Sequence, residues 1–109
     1  LFGRKVWVDF KKPALADKML AKKAIRFAEK EMKKAPHLLF LDELALAANY
    51  NIVSKYDVLK ALRKIPARTD VVITGRYCPK WLYKRADFVN EVTDVKAPKK
   101  TVTRKGINY

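Results

Sequence analysis

The sequence predicts an α/β domain built around a parallel sheet, and three observations support that prediction. Two short segments, LLFL at 38–41 and DVVI at 70–73, have the length and apolar character of buried strands in parallel sheets. Helical patterns precede, separate and follow them. A third β-prone segment comes after the last helical pattern, at 88–92. Strands that alternate with helices in this way are typical of a parallel sheet with helical crossovers.

The chain has 109 residues, half of them hydrophobic, which is enough for one small domain with a core. We expect a single domain over residues 1–109, with an extended basic tail at 96–109. No apolar segment reaches the ~20 residues that span a bilayer, and the start has no signal peptide, so we expect no membrane association. The single Cys78 cannot form an internal disulfide, which favours a cytoplasmic location.

The net charge of +14 favours anionic partners, which include nucleotides, nucleic acid and acidic membrane surfaces. The lysines are scattered along the chain, however, which is also typical of a solvated protein surface. Charge alone therefore leaves the partner open.

The first half of the chain contains one long predicted helix. Residues 5–10 read as a short strand or a structured loop, and residues 14–35 as a helix that ends before Pro36. A stripe of apolar residues at helical spacing predicts its buried face: Ala16, Leu20, Ala24, Phe27 and Ala28.

The remaining elements follow at short intervals. Residues 43–49 predict a short helix. Ser54 and Asp57 form a capping-box pattern that opens a helix over 54–65. After the strand at 70–73, Pro79 suits the first turn of a helix through about Ala86.

Polar residues follow both predicted strands, and they are the candidate site. Ligands bind at the carboxyl ends of strands in open α/β sheets, and Asp42, Glu43, Thr74 and Arg76 all fall at that edge. An Asp at a strand end can hold Mg²⁺, and Glu43 can support it. Arg76 follows Gly75 and has the fork geometry that clamps phosphate.

Each of these residues also has a structural reading. Asp42 would cap a helix that starts at Glu43. Arg76 would form an ion pair with Asp42, Glu43 or Asp87. A phosphate cradle needs a glycine-rich GxxxxGK[ST] loop, and none of the three glycines of the chain lies in such a pattern. The sequence thus predicts the metal-binding part of a nucleotide site without the phosphate-binding loop.

Several motifs in order resemble the ATP:corrinoid adenosyltransferases of the P-loop type. They are LFLDEL at 39–44, ITGR at 73–76, ADFVNEV at 86–92 and the terminal GINY. The likeness covers residues 38–109 well and the helix at 14–35 more loosely.

The resemblance implies a RecA-like P-loop fold, incomplete here because the phosphate-loop segment of the family precedes this region. It also implies a homodimer that transfers the 5′-deoxyadenosyl group of ATP to cobalt(I) of a corrinoid, with Mg²⁺ on the triphosphate. By resemblance, Asp42 and Glu43 bind the metal, and Thr74 and Arg76 bind ATP. Trp7 would border the corrinoid.

Two rival readings stay open, and one expectation applies to the chain alone. A basic nucleic-acid-binding module would explain the charge, although no nucleic-acid motif is present. A noncatalytic remnant of a P-loop domain would explain the lack of a phosphate loop. Because the phosphate loop is lacking, we expect the 109 residues alone to be inactive as an adenosyltransferase.

Overall fold

A computed structural model of the chain describes residues 15–99. Within that range the elements are, in order, α1 (Leu15–Met32), β1 (Leu38–Leu41), α2 (Leu44–Asn49), α3 (Lys55–Leu62), β2 (Asp70–Ile73) and α4 (Lys80–Tyr83). The α/β class is therefore confirmed. A larger P-loop sheet of RecA type stays a prediction, because the sheet of this range has two strands.

The two strands pair in parallel, as the alternation of strands and helices predicts. Leu38 lies opposite Asp70, and the register continues to Leu41 opposite Ile73. Since the strands end together, the residues that follow them, Asp42 and Thr74, emerge side by side. This register is the structural fact on which the candidate site depends.

The prediction that both strands are buried is wrong for the described part of the molecule. Side chains alternate between exposed and half-buried along each strand, and Leu38 is 57% exposed and Phe40 55%. Residues of a strand point alternately to opposite faces of the sheet. Only one face is packed on the core, through Ile73 among others, so the other face leaves its apolar side chains in solvent.

The predicted third strand at 88–92 is also absent from the fold. Its residues form no strand, and Phe88 is 87% exposed. Phenylalanine and valine favour strands only where a neighbouring edge supplies hydrogen bonds and a face buries the side chains. The segment after α4 pairs with neither strand of the sheet and its side chains are exposed, so neither condition is met.

The helix α1 is confirmed within the predicted bounds, but its buried face is shifted. Ile25, Ala28 and Met32 are buried, whereas Phe27, which the apolar stripe placed inside, is 51% exposed. Asp17, a charged residue outside the apolar stripe, is also buried, at 5% exposed. The packing surface is set by α3 and α2, and it lies about one residue position away from the most apolar stripe.

The core is small and is formed mainly by short side chains from four helices. Its buried members are Ile25, Ala45, Ala48, Val53, Val58, Ala61 and Leu82. Lys64 Nζ also donates to Glu29 Oε2 at 2.8 Å, which ties the end of α3 to α1. Alanines allow the helices to approach closely, so the core is compact rather than extensive.

Several predictions fall outside the range that the structure describes. They concern the segment at 5–10, Trp7, and all of the basic tail beyond residue 99. Between residues 15 and 99, no helix is long and apolar enough to cross a membrane.

Candidate functional site

The two strand ends are joined by the hydroxyl of Thr74. Thr74 Oγ1 donates a hydrogen bond to Asp42 Oδ1 at 2.7 Å and accepts one from the backbone N–H of Glu43 at 3.1 Å. Hydrogen bonds from a hydroxyl to a carboxylate are short and strong, and 2.7 Å lies within their usual range. The sequence predicts that these three residues share one edge of the sheet, and in the structure they are in direct contact.

Glu43 connects β1 to α2 in an unusual backbone conformation. It has φ 60° and ψ 11°, which is left-handed, and the helix begins after it at Leu44. The residue before α2 makes no side-chain cap hydrogen bond. The reading of Asp42 as a helix cap is therefore wrong, since its carboxylate bonds Thr74 across the sheet edge instead.

Gly75 allows the loop after β2 to lie against the start of α2. Its φ is 141°, and a Cβ built there would come within 2.7 Å of Leu46 N and 2.9 Å of Ala45 Cβ. The backbone N–H of Ala45 donates to Thr74 O at 3.1 Å in the same contact. Only a residue without a side chain permits this approach, so Gly75 fixes the two loops together.

Arg76 is exposed at the same edge. It forms no ion pair with a carboxylate between residues 15 and 99, and Asp42, Glu43 and Asp87 are included in that statement. The reading of Arg76 as a structural ion-pair partner is therefore wrong for these residues. Its guanidinium faces solvent, where an anionic ligand can reach it.

The site fits Mg²⁺ only if a ligand supplies part of the coordination. In the described part of the chain, no three His, Cys, Asp or Glu side chains cluster as a metal site. Mg²⁺ is commonly held by one or two carboxylates, waters and phosphate oxygens, rather than by a protein cage. Asp42 and Glu43 are both exposed and adjacent, so they match that pattern.

An apolar cleft of about 570 Å³ adjoins the two acids. It lies between α1 on one side and β1 and α2 on the other, and Phe27 and Phe40 line it together with Asp42 and Glu43. Sequence reasoning missed this cleft. The available signal was the row of alanines at 21, 24 and 28, which leaves the α1 surface without bulk opposite the strand.

Cys78 and His37 have no catalytic arrangement with other residues of the described range, 15–99. Cys78 is a free thiol whose burial raises its pKa, with a smaller opposing effect from a backbone hydrogen bond at Tyr83. A raised pKa keeps the sulfur protonated and weakly nucleophilic near neutral pH. His37 contributes its backbone carbonyl, which accepts from Asp70 N at 2.9 Å. This contact at the start of the sheet gives His37 a structural role.

Comparison with known proteins identifies relatives of one kind. A sequence model of the family described as ATP:corrinoid adenosyltransferase BtuR/CobO/CobP matches residues 2–109. Two curated proteins named corrinoid adenosyltransferase, from Escherichia coli K12 and Escherichia coli O6:H1, are each 36% identical to the chain over 59 residues. The matched region covers 54% of this chain and 30% of each relative. No solved structure matches the chain significantly.

Proposed function

Because the chain belongs to the ATP:corrinoid adenosyltransferase family, we propose that its sheet edge holds the triphosphate end of ATP during adenosyl transfer to a corrinoid. The observation that carries this proposal is the joined pair of strand ends, with Asp42 and Thr74 in contact at 2.7 Å. The pair lies at the carboxyl edge of a parallel sheet, where α/β proteins bind nucleotides.

The reaction proposed is a displacement at carbon. The electron pair of cobalt(I) forms a bond to the 5′ carbon of ATP, while the bond from that carbon to the triphosphate oxygen breaks and triphosphate leaves. The protein contributes by placing the two substrates in line and by stabilising the charge of the leaving group. Bound Mg²⁺ would supply part of that neutralisation.

Each residue at the edge has a role in this proposal. Asp42 binds Mg²⁺ and Glu43 supports it, directly or through water. Arg76 contacts the triphosphate. This role is favoured because Arg76 forms no ion pair among the described residues. Thr74, which the resemblance assigns to ATP, bonds Asp42 at the same edge. Trp7, which lies outside the described residues, would border the corrinoid.

The chain supplies part of what this reaction needs. It spans about 30% of the length of the curated relatives it matches, and it contains no GxxxxGK[ST] loop. Without a glycine-rich cradle, scattered lysines attract triphosphate only weakly and in a salt-dependent way. We therefore propose that the 109 residues contribute the metal edge of a cytoplasmic, homodimeric enzyme and are inactive alone.

The test replaces Asp42 by asparagine in the full protein that carries this chain. Asp42→Asn removes one negative oxygen from the metal site with little change in shape. We expect kcat/KM for adenosyl transfer to fall about tenfold or more, and the Mg²⁺ concentration at half-maximal rate to rise. Transfer is followed by the absorbance of the adenosylated corrinoid.

Asp57→Asn is the matched control, because Asp57 lies on α3 and contacts neither Asp42 nor Thr74. This variant should keep the wild-type rate and Mg²⁺ dependence. If Asp42→Asn also keeps both, the edge is not the metal site.

The alternative function is nucleic-acid binding, which the net charge of +14 favours. A protein that neutralises several phosphates loses affinity steeply as salt is raised. Tight duplex DNA binding with such a salt dependence, unaffected by Asp42→Asn, would support this alternative and count against the enzyme.

A further inference from the structure

We propose that Thr74 is a positioning residue, which holds the Asp42 carboxylate and the Glu43 backbone in place instead of contacting ATP itself. The inference rests on the proposed function, since it assigns a task within the same metal site. The hydroxyl of a threonine has one donor and two acceptor positions.

The single donor of Thr74 is already used. Its proton points to Asp42 Oδ1 at 2.7 Å, and one acceptor position takes the N–H of Glu43 at 3.1 Å. A phosphate oxygen needs a donor, and Thr74 has none left while this pair exists. Thr74 therefore serves the carboxylate, and Arg76 remains the free donor at the edge.

The contact with Asp42 matters because it is the one hydrogen bond of that side chain within residues 15–99. Asp42 is exposed, and its other oxygen, Oδ2, makes no hydrogen bond to a residue between 15 and 99. With Oδ1 fixed on Thr74, Oδ2 is the oxygen left for a metal. Partners of metal-binding carboxylates act in this way, by removing rotamer freedom before the metal arrives.

The contact with Glu43 holds the second acid. A non-glycine residue in the left-handed region is strained by about 1–3 kcal/mol and persists where neighbouring contacts fix it. Glu43 is in that region, with φ 60°. The hydrogen bond from its N–H to Thr74 stabilises the turn that sets Glu43 next to Asp42. One hydroxyl thus holds both acids.

Thr74 is itself held by the sheet and by α2. Its N–H donates to Leu41 O at 3.2 Å, its carbonyl accepts from Ala45 N at 3.1 Å, and Gly75 packs against Ala45. A positioning residue must be less mobile than the group it positions, and backbone contacts on both sides of Thr74 meet that requirement.

The test compares Thr74→Val, which keeps the shape and removes the hydroxyl, with Thr74→Ser, which keeps the hydroxyl. Mn²⁺ with an equal concentration of ATP is titrated into the full protein that carries this chain, and the broadening of backbone amide NMR signals locates the ion. In wild type we expect the signals of Asp42 and Glu43 to broaden first. Thr74→Val should need about tenfold more Mn²⁺ for the same broadening, and Thr74→Ser should behave as wild type.

Thr69→Val is the matched control at the other end of the second strand. Thr69 Oγ1 is buried and has no hydrogen-bond partner among the residues of the described range. Its removal should leave the Mn²⁺ titration unchanged. Thermal unfolding of each variant shows whether the fold is intact. If Thr74→Val does not fold, Thr74→Ala replaces it as the variant without a hydroxyl and is compared with Thr74→Ser.

The outcomes separate this inference from the proposed function. If Asp42→Asn abolishes the early broadening but folded Thr74→Val keeps it at the wild-type Mn²⁺ concentration, Thr74 is not a positioning residue and the metal site stands. If wild type shows no early broadening near Asp42, or Asp42→Asn does not change it, the metal site and the role of Thr74 fall together.

Discussion

At the scale of single residues, backbone conformation decides which side chains the site tolerates. Gly75 and Ala35 both lie at positive φ, at 141° and 48°, but in different surroundings. Gly75 faces the backbone of Leu46, so it must be glycine for reasons of space and of conformation. Ala35 carries a Cβ at a position after α1 where glycine is usually preferred.

Substitution at these two positions should change stability in opposite directions. Gly75→Ala should lower the free energy of unfolding by about 2 kcal/mol or more, since the new Cβ meets backbone atoms that cannot move aside. Ala35→Gly should raise it by up to about 1 kcal/mol, because the left-handed strain disappears. Urea unfolding measures both. A neutral Gly75→Ala variant would show that the two loops are not closely packed.

The sequence predicted which residues meet at the edge, but not how they meet. Asp42 and Thr74 each follow an apolar strand, and parallel strands bring their ends together, so their proximity follows from pattern alone. The left-handed turn at Glu43 could not be predicted in this way. It depends on a hydrogen bond to a residue 31 positions away, which no local signal contains.

At the scale of elements, α3 shows how far a local motif determines structure. Its N-cap is Ser54, whose side chain accepts from Asp57 N at 3.0 Å, as the capping-box pattern predicts. The reciprocal bond, in which the Ser54 backbone N–H donates to the Asp57 carboxylate, is not formed among these residues. Aspartate is one methylene shorter than the glutamate usual at that position, so only half of the motif is realised.

The cap should account for much of the local stability of α3. Ser54→Ala should lower the free energy of unfolding by about 1 kcal/mol, because the N–H of Asp57 loses its partner. Ser54→Asp should restore most of it. Urea denaturation is the measurement, and Asp57→Asn is a control that leaves the cap acceptor intact. Equal stability of Ser54→Ala and wild type would mean that water replaces the hydroxyl without loss.

Local pattern fails where an element needs a distant partner. Residues 88–92 have the composition of a strand, yet they are exposed and irregular, because a strand exists only beside another edge. The bounds of α1 follow from local signals, whereas its buried face depends on α3 and α2, which the apolar stripe does not encode. Elements that depend on local signals were therefore easier to predict than a strand or a buried face that depends on distant contacts.

At the scale of the whole molecule, the apolar surface is incompletely covered. One face of the two-stranded sheet presents Leu38, Phe40 and Val72 to solvent, and Phe40 continues into the cleft that Phe27 also lines. Contiguous exposed apolar surface of this kind marks an interaction site or leads to aggregation. A two-stranded sheet also leaves edges unpaired, which favours addition of another strand.

We therefore expect the 109-residue chain to associate through this face. Multi-angle light scattering should show dimers or larger species whose fraction rises with concentration. Phe40→Lys should shift the population toward monomer, because a charge at the centre of the face opposes its burial. Tyr56→Lys is the matched control, since Tyr56 is an exposed aromatic on α3, away from the sheet.

The net charge of +14 opposes association at low salt, so the difference between the two variants should grow as salt screens that repulsion. A chain that stays monomeric at high salt, with Phe40 still exposed, would contradict the view that this face requires a partner.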